Sequence, residues 1–271
     1  MTGTFIVTKE HRRFTEFADA VRKQHTIGIC FGPAGVGKTL SARRYAHWDV
    51  INSFITTWGE RGDDYPKICA AAHRARTVFY TPRISTTTKA LENDLDSATT
   101  QVDQCASEHL RLHGQTVDHS GRIPWKPFVE LVTIDESERL NANCLELMRD
   151  RYDRTNVAFI LIGMPGIEKQ FSHYPQLYSR LGFAHQYRTL GHDELQFVLT
   201  RQWKKLGKTL DLDDFTDAQA FATVERITRG NFRLLERLFP QIERVLKIND
   251  LDVITNDVIE AARSTLVIGT T

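Results

Sequence analysis

An α/β fold, in which helices cover a parallel sheet and an all-helical C-terminal region follows, is predicted by three features of the chain. Apolar runs of strand length alternate with helix-period segments through the first 190 or so residues. A glycine-rich stretch, Gly32-Pro-Ala-Gly-Val-Gly-Lys38-Thr39, lies between one such run and a helix-prone segment. After about residue 190 the strand pattern stops and only helical periods remain. Alternation of this kind is the signature of β-loop-α units built on a parallel sheet.

Thr8 is placed to cap a helix over residues 9 to 24, where Phe14, Phe17, Ala18 and Val21 share one face. The strand 26 to 31, the glycine-rich loop and a helix over 38 to 47 make the first β-loop-α unit, and 77 to 81 reads as the next strand. Leu91, Leu95, Ala98, Val102, Ala106 and Leu110 recur every three or four residues, giving a long helix that Gly114 ends in a left-handed cap. Residues 114 to 127, with Gly114, Gly121, Pro124 and Pro127, read as a loop. A strand from 128 to 134, a helix starting near Asn141, a strand over 156 to 162 and a short strand near 183 to 187 complete the sheet. The C-terminal helices fall near 192 to 206, 216 to 227, 231 to 247 and 255 to 266. Pro240 is expected to kink or break the third, because it has no N–H and its ring clashes with the preceding turn. The expected division is therefore a core over 1–190 and a helical lid over 191–271.

The glycine-rich stretch is a complete phosphate-binding loop in the strand-loop-helix context that gives the pattern its meaning. Its glycines allow a tight turn that points several amide N–H groups at one anion, and the following helix adds its positive dipole end. The expected nucleotide contacts are Gly32, Pro33, Ala34, Gly35, Val36, Gly37, Lys38, Thr39 and Leu40. Lys38 is suited to the β- and γ-phosphates and the Thr39 hydroxyl to a magnesium ion. The apolar run 128 to 134 ends in two adjacent carboxylates, the Walker B pattern. At the C-terminal edge of a buried central strand, Asp135 is placed to bind the magnesium ion and Glu136 to deprotonate an attacking water. A nucleotide carrying β- and γ-phosphates and Mg2+ are thus the expected ligands.

The 271 residues carry 35 basic and 34 acidic side chains, a net charge of +1, which excludes a histone-like coat of positive charge and makes any nucleic-acid contact local. An apolar fraction of 41% suffices for a real core. No run approaches a membrane span and the N-terminus lacks the pattern of a signal peptide, so cytoplasmic residence is expected. Cys30, Cys69, Cys105 and Cys144 are scattered and read as reduced, mostly buried thiols, and the ten histidines make no metal-binding pair. Trp48, Trp58 and Trp125 are expected to pack inside.

With these motifs, Leu161-Ile-Gly-Met-Pro-Gly-Ile-Glu168, Tyr174-Pro-Gln-Leu-Tyr-Ser-Arg180-Leu-Gly-Phe183 and Thr228-Arg-Gly-Asn-Phe-Arg233-Leu-Leu-Glu236 resemble the AAA+ ATPases over nearly the whole chain. Among these the resemblance is to transposition regulators of the TnsC, TniB and Mu B type. It implies an AAA+ P-loop NTPase core with a C-terminal helical lid. It also implies that Arg180 is an arginine finger acting on a neighbouring subunit's nucleotide, and that Arg233 is the sensor 2 arginine contacting its own. Met164 stands at or beside the sensor 1 position, where the family carries a hydrogen-bonding residue. A thioether cannot donate a hydrogen bond, which points to slow hydrolysis.

The same resemblance implies a switch that binds ATP, oligomerises as a ring or filament around double-stranded DNA, and presents that DNA to a transposase, with or without a targeting adaptor. Pro82-Arg83-Ile-Ser85-Thr-Thr-Thr88-Lys89 is the DNA-contact candidate, with Arg83, Thr87 and Lys89 facing phosphates, although Ser85 or Thr86 could instead cap the next helix. The basic helical face of Arg201, Lys204, Lys205 and Lys208 reads as a solvated surface. Three alternatives stay open: another AAA+ ATPase of initiator or secretion type, a small-molecule kinase, and a slowly hydrolysing NTPase switch.

Overall fold

The computed structural model describes residues 5–57, 62–114 and 127–266. Contacts divide the chain into two units. One comprises Arg13–Gly32 and Lys38–Gln186; the other comprises Met1–Arg12, Pro33–Gly37 and Tyr187–Thr271. Residues 5–12 and the middle of the phosphate loop thus group with the C-terminal helices.

The sheet unit holds the strands β1 Ile27–Phe31, β2 Thr77–Tyr80, β3 Leu131–Ile134, β4 Ala158–Gly163 and β5 Leu181–Gln186. Their order is β2-β3-β4-β1-β5, and every pairing is parallel. Central β3 and β4 are buried at every position and read as apolar apart from Thr133, whereas edge strand β5 alternates between half-buried and exposed. Helix α1, Lys9–Lys23, begins where the Thr8 hydroxyl accepts the His11 N–H at 3.2 Å. Phe14, Phe17, Ala18 and Val21 are buried as their spacing requires. The close approach of α1 to β1 depends on Gly28, because a Cβ there would lie 2.5 Å from Val21 Cγ2 and 2.8 Å from Phe17 Cζ.

Helix α2, Lys38–Tyr45, follows the phosphate loop, and two further helices, α3 Trp48–Thr57 and α4 Tyr65–Ala75, occupy a stretch for which the sequence pattern suggested no element. The Pro66 ring sits in the first turn of α4, where its missing N–H costs nothing, and Ile68, Cys69, Ala71, Ala72 and Ala75 are buried. The long helix α5, Thr88–Leu112, is followed by Gly114 at φ 66°, the left-handed residue expected there. Helix α6, Ala142–Arg154, is capped by the Asn141 side chain, which accepts the Cys144 N–H at 3.0 Å. Two short helices, α7 Ile167–Ser172 and α8 Pro175–Tyr178, lead into β5. All four cysteines are buried thiols outside any disulfide. Cys69 of α4 and Cys105 of α5 are neighbours, and their hydrogen bond, together with burial, pushes the Cys105 thiol far above its usual range. Trp48 is buried, while Trp58, Trp125 and most of the loop 114–127 lie outside the described residues.

The helical unit holds α9 His192–Lys205, α10 Phe215–Thr228, α11 Phe232–Ile248 and α12 Asn256–Ser264 around one apolar cluster that includes Trp203, Phe221, Leu238, Phe239 and Ile259. The expected break at Pro240 does not occur, and α11 runs through it. Pro240 and Glu236, whose carbonyl loses its N–H partner, are both exposed, while Leu235, Leu238, Phe239 and Ile242 bury the opposite face. Among the described residues no helix is long and apolar enough to cross a membrane.

Candidate nucleotide-binding site

The sheet unit brings the two sequence motifs together because β1 and β3 both end at the C-terminal edge of the sheet. Lys38 opens α2 and is buried; its Nζ donates to the Gly32 carbonyl at 2.5 Å. The Thr39 hydroxyl donates to Asp135 Oδ2 at 2.7 Å, and Leu40 next to it is exposed. Asp135 Oδ1 accepts the Glu136 N–H at 3.0 Å, and the Asp135 N–H is spent on Tyr80 O at 2.8 Å. Asp135 is only 5% exposed, and its burial pushes its carboxyl above the usual range against the lowering effect of the Thr39 hydrogen bond.

Glu136 sits in the left-handed region at φ 49°, ψ 44°, which turns the chain sharply out of β3 into the 3-10 turn Ser137–Arg139. Two residues of that turn are functional neighbours that the sequence analysis missed. The Arg139 guanidinium makes an ion pair with the Glu136 carboxylate and also donates to the Pro82 carbonyl at 2.8 Å. The Ser137 hydroxyl donates to Ile162 O at 2.6 Å, tying the acidic turn to β4. Spacing could have found Arg139, since a carboxylate and a guanidinium three residues apart in a helical turn face one another.

In the helical unit, Pro33–Gly37 pack against the start of α11. The Asn231 side-chain amide donates to Ala34 O at 2.8 Å, its Oδ1 accepts the Arg233 N–H at 3.1 Å, and the Arg233 N–H also reaches Gly35 O at 3.0 Å. Gly35 has φ 80°, and a Cβ there would stand 2.6 Å from Asn231 Oδ1 and 2.7 Å from Arg233 Cβ. Asn231 therefore both caps α11 and holds the loop, a role the Gly-Asn-Phe-Arg motif signalled only for its arginine. Val36 is buried and the exposed Arg233 side chain stands on the first turn of α11.

Arg180 closes the turn before β5, where its carbonyl accepts the Ile27 N–H at 3.3 Å, so it lies at the sheet edge opposite Asp135. Its guanidinium grips Asp153 of α6 through two bonds of 2.6 and 2.7 Å, and Arg149 also reaches Asp153 at 2.6 Å. The guanidinium holds the Asp153 carboxyl below its usual range. Met164 follows β4 and is 42% exposed. In the segment after β2, Arg83 and Lys89 are exposed and Ile84 is 86% exposed. Thr87, and neither Ser85 nor Thr86, caps α5 by accepting the Ala90 N–H at 3.2 Å; the Thr86 hydroxyl instead donates to Arg83 O at 2.8 Å.

A loop closed on a buried lysine, a threonine hydroxyl bonded to an aspartate at the end of a neighbouring parallel strand, and a second carboxylate beside it define a P-loop nucleotide-binding protein. The chain belongs to the AAA domain family, whose model matches residues 21–171. It is 45% identical over 266 residues to a Staphylococcus aureus protein described as a potential ATP-binding protein, covering 98% of this chain and 97% of that one. Its fold is similar to the Thermotoga maritima RuvB Holliday junction branch migration motor, with TM-score 0.57, 16% identity, and coverage of 97% of this chain and 70% of that one. It is also similar to the Aeropyrum pernix ORC1 protein solved in complex with DNA, with TM-score 0.53, 15% identity, and coverage of 96% and 65%.

Proposed function

We propose that the protein is an AAA+ ATPase that binds ATP, assembles with further copies of itself on double-stranded DNA, and there recruits or activates a transposase. The observation that carries the ATPase reading is the Thr39–Asp135 hydrogen bond of 2.7 Å with Glu136 one residue on. It supports an oxygen pair for a hard cation with the general base beside it. A magnesium ion keeps most of its waters and takes few protein ligands, so Thr39 and Asp135 fit as its holders; there it would neutralise charge on the β- and γ-phosphates. Lys38 would exchange its Gly32 partner for phosphate oxygen, and Glu136 would take a proton from the attacking water. The Staphylococcus aureus relative supports ATP as the ligand.

The DNA reading is supported by the folds of a branch migration motor and of ORC1 in complex with DNA, and by the exposed Arg83, Ile84 and Lys89 on one short segment. Transposition rests on the sequence resemblance. Turnover is expected to be slow, because Met164 offers no hydrogen-bond donor where the family carries one and Arg139 occupies the Glu136 carboxylate.

Electron microscopy of the purified protein with plasmid DNA, with and without a slowly hydrolysed ATP analogue, tests this reading. Rings or filaments only when both ligands are present support it; single particles under every condition overturn it.

A further inference from the structure

We propose that a cleft at the sheet edge opposite Asp135, formed by Arg22, His73, Arg74, Arg76 and His109, binds a phosphate group as a second anion site. The cleft has a volume of about 370 Å3, at the small end of ligand pockets, and suits a compact anion rather than a large organic molecule. Its location follows from the topology: Arg76 immediately precedes β2 and Glu130 immediately precedes β3, while Asp135 follows the other end of β3.

Cations outnumber their partners here. Arg22 lies 3.6 Å and Arg76 2.9 Å from the same carboxylate, Glu130, and Arg22 also lies 4.0 Å from Asp19 and donates to Ala75 O at 3.3 Å, so with Arg74 three guanidiniums face two carboxylates. Arg74 is exposed and has no hydrogen-bond or ion-pair partner among the described residues. The imidazole rings continue the basic surface, with centroids 4.7 Å apart for His73 and His109 and 4.2 Å for His109 and His113.

Basic residues in the last turns of α4 and α5 also offset the negative ends of those helix dipoles, which is the competing explanation for their presence. The gathering of Arg22, Arg74 and Arg76 from α1 and α4 around one cleft is a second reason for the cluster. Burial first, then His109, Arg76 and His113, lower the His73 pKa, and burial, His113 and Arg74 lower that of His109. No carboxylate is among the groups that shift either ring, whereas a bound dianion would offset that positive charge. Two guanidinium forks and an imidazolium are also the donor set that recognises phosphate oxygens.

An anion in the cleft favours protonated His73 and His109, so their midpoints rise on binding and affinity rises as pH falls from 8 to 6. Besides the two histidines, the charged and titratable groups that face the cleft are Arg22 and Asp19 of α1, Arg74 and Arg76 of α4, His113 and Glu108 of α5, and Glu130.

The test is histidine NMR on the full chain, in wild type and in Lys38→Ala, which disables the phosphate loop. Inorganic pyrophosphate and a short DNA duplex are titrated separately, against chloride at matched ionic strength. Raised midpoints for His73 and His109 in both proteins uphold the site, and the ligand that produces them distinguishes a free phosphate from a backbone phosphate. Arg74→Ala is expected to weaken that binding about tenfold, and Arg74→Lys to recover part of it. Midpoints that move no more than with chloride, or that move only when Lys38 is intact, overturn the proposal.

Discussion

Asp135 and Glu136 are adjacent in sequence but live in different surroundings, and that difference sets their separate chemistry. Asp135 is buried under β2 and β3, so its raised pKa means the folded state holds its proton more tightly than the unfolded chain does. Its contribution to stability is therefore greatest at low pH and is lost as pH rises through the ordinary carboxylate value of about 3.9 and then the higher folded value. Asp135→Asn is expected to raise the melting temperature at pH 7, with the gain shrinking toward pH 4, while magnesium-dependent nucleotide binding falls. Thermal unfolding across that range checks this, and a gain independent of pH removes the explanation. Glu136 is instead half exposed and paired with Arg139, whose other bond goes to Pro82. Glu136→Gln is expected to keep nucleotide binding and abolish hydrolysis. Arg139→Ala is expected to release the carboxylate and speed turnover up to about fivefold, since an exposed ion pair contributes ~0.2–1 kcal/mol. Steady-state ATPase rates measure both, and slower turnover in Arg139→Ala would mean that the arginine orients the base instead of restraining it.

At the scale of elements, period and turn chemistry made most of the fold legible. The strands stood out because a parallel sheet buried on both faces needs near-continuous apolar runs, and the phosphate loop because its glycines and lysine have few other uses together. Helices α3 and α4 did not stand out: α4 buries mostly alanines and a cysteine, whose weak contrast hides the helical period. The role of Asn231 was equally hidden, because a capping asparagine and a loop-holding asparagine look alike until Ala34 is placed beside it. The lost hydrogen bond at Pro240 predicts a kink or a break; α11 continues through it, with Leu235, Leu238, Phe239 and Ile242 burying the opposite face. Since Pro240 is exposed and contributes little packing, Pro240→Ala is expected to stabilise the protein by about 1–3 kcal/mol through the regained hydrogen bond and better helix propensity. Urea unfolding measures this; a loss of stability would show that α11 is bent to suit the proline.

For the whole molecule the question is how a nearly neutral chain of net charge +1 becomes responsive to nucleotide, and the position of Arg180 suggests an answer. It stands at the N-terminal end of β5 while Thr39 and Asp135 lie at the C-terminal ends of β1 and β3, so within the sheet unit it lies at the opposite edge from Thr39 and Asp135. Asp153 holds its guanidinium in bidentate geometry, yet both groups are about one-third exposed, and a phosphate dianion of a second subunit competes well against such a pair. If that subunit supplies the phosphate, Arg180→Ala should bind nucleotide normally but neither hydrolyse nor assemble, whereas Lys38→Ala should fail to bind. Mixing the two inactive proteins then distinguishes action across a seam from action within one chain. A seam that joins the intact loop of Arg180→Ala to the intact arginine of Lys38→Ala is complete, and random mixing in equal amounts makes about a quarter of seams of that kind. ATPase activity should therefore reappear in the mixture with DNA present, to roughly that fraction of wild type, and vanish on dilution below the assembly concentration. A mixture no more active than its separate components would place Arg180 outside the neighbour's site and leave Asp153 as its permanent structural partner.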